Sequence, residues 1–231
     1  IILMYIMSAG IYLYTFIFRL KSGYIAVFQC VRFFIMKNGG TEMNFSSKFI
    51  RANGDMCDFD RHIPSPYFRK EFELDFTAEK AEILICGLGF YRLWINGTEI
   101  TKGALAPYIS NTGDICYYDL YNIAALLKNG KNVIGVQLGN GFRNPFGGFI
   151  WDFEKMESRG PVCLALTFKA EGGGKELCFE ADESFKTHAS PVIFDELRMG
   201  CRYDARLEIP GWSLPDFDDS GWGFAEKRET P

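Results

Sequence analysis

The stretch from Gly87 to Ile100, GLGFYRLWINGTEI, narrows the choice of fold more than any other part of the chain. Its apolar side chains alternate at Tyr91, Leu93 and Ile95, the two-residue period of a half-buried strand. Asn96-Gly97 follows at once, and a tight type I′ hairpin turn needs positive φ at both central residues, which these two residue types accept. Just upstream, Ala81 to Cys86 reads AEILIC, a short continuous apolar run of the kind that sits at the centre of a sheet or between two. A buried strand, a glycine bend, a second strand and a hairpin in so short a span describe the middle of an all-β sandwich.

The flanking sequence keeps the same period. Tyr67 to Phe76 places Phe68, Phe72, Leu74 and Phe76 against Arg69, Glu71, Glu73 and Asp75, a strand with one wet face. Leu105-Ala106-Pro107 makes a bend, Ile115 to Leu120 predicts a strand, and Asn132 to Leu138, NVIGVQL, alternates again before a loop of glycines and aromatics, Gly139 to Trp151. In the second half, Val162 to Ala170, Leu177 to Ala181, Pro191 to Met199 and Tyr203 to Ile209 read as strands, with Gly172 to Gly174 as a hairpin connector. Short strands at this spacing, with hardly any helical periodicity, predict an antiparallel sandwich or jelly roll.

The first 42 residues differ. No charged residue appears from Ile1 to Phe18, and no acid before Glu42. Such a segment predicts a hydrophobic helix: either a membrane anchor with Arg19, Lys21 and Arg32 on the cytoplasmic side, or sequence upstream of a true start at Met36 or Met43. The organisation is then residues 1–42 as a hydrophobic extension, 43–76 as a leading arm and first strand, and 77–231 as the sandwich domain. The expected location is cytoplasmic, or membrane-anchored if the extension is translated.

A net charge of −4 leaves no basic footprint, so nucleic acid is not an expected partner. The seven cysteines form no CxxC pair, and several lie in apolar runs, where a free thiol behaves as a small hydrophobe; this indicates a reducing compartment. His62 and His188 stand alone in the sequence, which argues against a metal or acid-base role. Asp204 and Arg206 lie two apart on a predicted strand and read as structural ion-pair partners for its neighbours.

Three segments carry a family resemblance: YRLWINGTEI, LLKNGKNVIGVQLGNGF and RYDARLEIPGWSLPDFDDSGW. Together with Phe68-Arg69-Lys70, Pro107 and Asp182 they resemble the N-terminal region of bacterial α-L-rhamnosidases of glycoside hydrolase family 78. The first two segments are also similar to the sugar-binding domain of β-galactosidases and β-glucuronidases; the third favours the rhamnosidases. The resemblance implies a galactose-binding-like, jelly-roll sandwich that carries no catalytic residues and that packs against and orients a catalytic (α/α)6 domain, which supplies the acids. An inverting glycosidase needs a general acid and a general base on opposite sides of the bond, and none of the acids here matches the family's catalytic motif.

Some accessory domains of this kind bind rhamnose through calcium, a cation that takes oxygen ligands. The resemblance places the ligands in the loop after NVIGVQLG: Asn140 through its side-chain oxygen and Pro145 through its carbonyl, with Phe142, Phe146 and Trp151 offering an apolar face to a sugar of a rhamnose-containing glycan. The chain departs from that pattern at Leu88 and Gly89, where an acidic residue is expected, and at Cys201, where an acid is common.

Overall fold

The computed structural model describes residues 2–7, 11–19, 25–33, 46, 48–148 and 151–228. The chain divides into two compact units, Ile1–Met43 and Asn44–Pro231.

The first unit corrects the sequence reading. In place of a hydrophobic helix it holds three antiparallel strands, β1 (Ile2–Met7), β2 (Ile11–Arg19) and β3 (Ile25–Phe33), in the order β1-β2-β3. Met7 stands opposite Ile11, and Arg19 opposite Ile25. The residue types account for this. Isoleucine, tyrosine, phenylalanine and valine favour strands over helix, and glycines at 10 and 23 interrupt what would be a continuous span. Among the described residues no helix is long and apolar enough to cross a membrane.

The second unit is a two-layer sandwich. Its strands in chain order are β4 (Phe49–Arg51), β5 (Pro66–Leu74), β6 (Lys80–Leu88), β7 (Phe90–Ile95), β8 (Thr98–Glu99), β9 (Asp119–Asn122) and β10 (Gly130–Gly139). Then come β11 (Cys163–Gly172), β12 (Lys175–Glu180), β13 (Lys186–Ala189), β14 (Val192–Glu196), β15 (Gly200–Tyr203), β16 (Gly223–Phe224) and β17 (Glu226–Arg228). One sheet runs β16-β13-β5-β10-β7-β8; the other runs β17-β4-β11-β6-β9, with β12 on β11, and β14 and β15 form a separate hairpin. Two strands from before residue 77 are thus integral to the sandwich, β4 lying between β17 and β11 and β5 between β13 and β10.

Alternation decides which side chains meet. Leu93 and Ile95 of β7 stand opposite Val136 and Ile134 of β10, and these face Ile83, Ile85, Leu166 and Phe168 across the core. Each such side chain, fully buried, contributes about 1.5–3 kcal/mol. The run Ala81 to Cys86 is buried on both faces of β6: Ile83 and Ile85 join the main core, while Cys86 packs with Leu88, Cys163 and Phe49 in a second cluster. Asn96 and Gly97 have φ of 49° and 83°, the pair of positive values a type I′ turn requires.

The last segment is a strap across the outer face of the β5-β10-β7 sheet. Trp212 stacks on Tyr67 at 4.0 Å and meets Trp94 edge-on at 5.2 Å. Beneath it Arg69, 1% exposed, donates from Nε to the Trp212 carbonyl (3.0 Å) and from Nη2 to the Leu214 carbonyl (3.1 Å). Its charge is matched by Glu71 at 2.8 Å and by Asp219. The segment after Tyr203 is not the expected strand. Asp204 accepts the Arg206 backbone N–H at 3.1 Å and caps a single 3-10 turn, Ala205–Leu207. The Arg206 guanidinium also closes on Asp204 through two bonds, at 2.8 and 2.6 Å, and this contact holds the Asp204 carboxyl down to about 2. The two therefore pair with each other and not with neighbouring strands.

Candidate functional site

The loop that follows β10 opens with Asn140, which is 1% exposed and fully hydrogen-bonded. Its Nδ2 donates to the Ile63 carbonyl at 2.8 Å and to Asp195 Oδ1 at 2.6 Å, and its backbone N–H donates to Asp195 Oδ2. Its Oδ1 accepts from Asn144 Nδ2 at 2.9 Å, and Asn144 Oδ1 in turn accepts the Cys57 backbone N–H at 2.8 Å. One buried carboxamide therefore ties three separate segments: the end of β10, the arm before β5, and the β14-β15 hairpin.

His62 belongs to the same cluster. Its ring lies 4.3 Å from Phe194, with Nδ1 3.6 Å from Cys57 Sγ. Nε2 stands 3.5 Å from Asp195 Oδ1, the partner of a protonated ring, and 3.1 Å from the Asp195 backbone N–H, the donor to a neutral one. Burial is the largest single influence on this imidazole and opposes its charge, but hydrogen bonds to Asp195 and Cys57 together lift its pKa to about 9. His62 is thus not isolated, contrary to the linear reading. His188 carries no such set; it tilts against Trp222 at 5.2 Å.

The predicted site residues do not converge. Pro145 is buried. Phe142 lies edge-on to Phe153 at 5.1 Å, and Trp151, 70% exposed, is 5.7 Å from the same ring. Phe146 faces elsewhere, toward His62 at 6.2 Å and Phe194 at 6.1 Å. The donor set does not fit calcium. Asn140 Oδ1 is engaged by Asn144, and no side chain of any kind fits at Gly89, whose φ is 116° and where a Cβ would stand 2.2 Å from the Gly139 carbonyl oxygen. Leu88 is buried in the second core cluster. Among the described residues no group of three or more His, Cys, Asp or Glu side chains is placed to hold a metal.

Two further places carry functional groups that the sequence reading did not single out. A shallow apolar groove of about 390 Å³ lies between Phe90, Leu105 and Leu138 on one side and Val192, Leu197 and Cys201 of the hairpin on the other. Arg143, buried in the same loop as Asn140, lines a smaller cavity beside Phe142 and Thr112. A lone charge in a loop of glycines and aromatics was the available signal for Arg143. No signal linked Asn140 to Asp195, 55 residues away.

The family model of the alpha-L-rhamnosidase N-terminal domain matches residues 77–231. This chain belongs to that family. An alpha-L-rhamnosidase of Formosa agariphila is 36% identical over 169 residues, covering 70% of this chain and 17% of that protein. The crystal structure of native alpha-L-rhamnosidase from Aspergillus terreus superposes with a TM-score of 0.73 at 28% identity, covering 80% of this chain and 21% of that one. The alpha-L-rhamnosidase structure from Dictyoglumus thermophilum gives 0.71 at 28% identity, with 96% of this chain and 25% of that one covered. The chain thus spans roughly a fifth of the length of these relatives. In this member of the alpha-L-rhamnosidase N-terminal domain family the strap motif has a structural task, closing the outer face of one sheet.

Proposed function

We propose that this chain is a non-catalytic accessory domain of an alpha-L-rhamnosidase-type glycoside hydrolase, packing against and orienting a catalytic (α/α)6 domain of the same polypeptide. The observation that carries this reading is the coverage: nearly the whole chain, 96%, overlays on only 25% of a rhamnosidase. Several acids of this domain support it as well, because they serve structure. Asp195 holds Asn140, Asp219 and Glu71 hold Arg69, and Asp204 holds Arg206. The test is a deletion of residues 44–228 from the polypeptide extended through its catalytic region. The reading expects the remaining catalytic region to melt at a lower temperature than in the intact polypeptide. An unchanged melting temperature overturns it.

A second reading, contact with a rhamnose-containing glycan, draws on the exposed indole of Trp151. Aromatic faces offer apolar surface to a sugar ring. Titration calorimetry with L-rhamnose, with and without EGTA, and with Trp151→Ala and Asn140→Ala, tests it. Saturable heat lost on removing Trp151 supports direct binding, and loss with EGTA supports the calcium-dependent form; no heat in any arm rejects both.

A further inference from the structure

Arg143 is 5% exposed, yet no carboxylate among the described residues pairs with it. Two other enclosed guanidiniums are matched by carboxylates. Arg69 is matched by Asp219 and Glu71, and Arg198 by Glu196 at 2.7 Å. Arg143 has only neutral acceptors: Thr112 Oγ1 at 2.8 Å and the Ser158 carbonyl for Nη1, and the Pro161 carbonyl at 3.5 Å for Nε. Nη2 makes no hydrogen bond among the described residues. Burial is the main influence weakening its charge, and the nearby Arg228 adds to that, while the thiols of Cys163 and Cys116 oppose it. An isolated charge held this way is costly unless a partner completes it.

The guanidinium opens on a cavity of about 30 Å³, walled by Phe142, Ser110, Thr112 and Tyr117. One water needs about 10–15 Å³ by this measure, so the space takes a small oxyanion group and not a sugar ring. Around it the surface is apolar and uncovered: Tyr108 is 83% exposed, Ile109 56% and Ile115 52%. A buried arginine ringed by exposed aromatic and aliphatic groups has the anatomy of a protein–protein anchor point.

We propose that Arg143 is the receptor for a single Asp or Glu side chain, carried on an apolar-flanked segment of the catalytic region that docks over Tyr108, Ile109 and Ile115. This rests on the accessory-domain reading and names the surface it uses. Charge complementarity selects a carboxylate. The relatives supply the source, since about four-fifths of their length lies outside the part this chain matches. With Nη1 and Nε engaged, the carboxylate is met by a charge-assisted hydrogen bond from Nη2, and lysine, a point charge without the planar guanidinium, does not hold the neutral acceptors and reach the carboxylate together.

The test follows the Arg143 Nε–H resonance of the chain in a titration with acetate, with chloride at equal ionic strength as control. A saturable acetate-specific shift is expected there and at the backbone amide of Thr112, which touches the guanidinium; the Thr112 amide, present in both proteins, is expected to report binding weakened about tenfold in Arg143→Lys, the loss of one good charge-assisted contact. Thr112→Asp supplies an internal carboxylate, and is expected to raise the melting temperature and abolish the acetate response while leaving the fold intact. If acetate moves the resonance no more than chloride does, the inference fails. In the polypeptide extended through the catalytic region, the resonance is expected at its acetate-saturated position and insensitive to added acetate. If it still responds there, while deletion of 44–228 does destabilise the catalytic region, this docking surface is wrong and the accessory role stands.

Discussion

Trp212 lies directly over Gly135: a Cβ built on that glycine would stand 2.8 Å from two carbons of the indole ring. Gly135 sits in the middle of β10, where glycine weakens a strand and normally marks a close approach of another group. Here the approaching group is the strap, and the missing side chain lets the indole lie flat between Tyr67 and Trp94. The glycine in NVIGVQL and the tryptophan in PGWSLP are two halves of one contact.

Gly135→Val therefore overpacks this contact and is expected to lower stability by about 1–3 kcal/mol. Trp212→Ala, which removes the indole instead, is expected to cost about 3–5 kcal/mol. Urea unfolding of both variants and of the double variant checks the coupling. If the two act through one contact, the double variant is less destabilised than the sum of the singles.

Arg69 fastens the same strap from below. Replacing it with Met leaves the Trp212 and Leu214 carbonyls without their donor and Asp219 without its partner. The expected loss is about 2–4 kcal/mol, because both carboxylates retain some access to water. Limited proteolysis is expected to cut the 203–222 segment first. Initial cleavage elsewhere, with the strap intact, would show that Arg69 does not hold it.

Much of this architecture was legible in the sequence because it rests on period two. The alternation at Tyr91, Leu93 and Ile95, the positive-φ pair Asn96-Gly97 and the pattern of NVIGVQL each report local geometry, and each sits where that geometry puts it. The first unit was misread because a continuous apolar run carries no period with which to separate strand from helix. The segment after Tyr203 was misread because a local side-chain bond from Asp204 competes with extended backbone. The clusters around Asn140 and Arg143 depend on which distant loops meet. Pairings such as His62 with Asp195, 133 residues apart, leave no trace in a single sequence.

The His62 cluster has a pH signature. The folded-state pKa, about 9, lies above the ordinary value of 6.5, so this group's stabilising contribution is fully present below pH 6.5 and is lost as pH rises through 9. Melting temperatures measured from pH 6 to 10 are expected to fall across that window. His62→Gln is expected to flatten the fall; an unchanged slope would assign it to other groups.

The thiols are expected to separate by reactivity. The hydrogen bond from Cys86 is the main cause holding Cys116 down to about 7; burial opposes it and Arg143 assists. Burial pushes Cys178 and Cys201 upward from their ordinary range. Iodoacetamide labelling read by peptide mass spectrometry should show Cys116 alkylated with a midpoint near pH 7, well below the other two. A midpoint for Cys116 at or above theirs contradicts the arrangement.

The central claim is that this domain supports catalysis without performing it. Purified chain at high concentration, incubated with an aryl α-L-rhamnoside, tests this most directly. The account predicts no release of the aryl alcohol above the buffer rate, and release only from the polypeptide extended through its catalytic region. Turnover by the chain alone, abolished by substituting one of its own carboxylates, would contradict it.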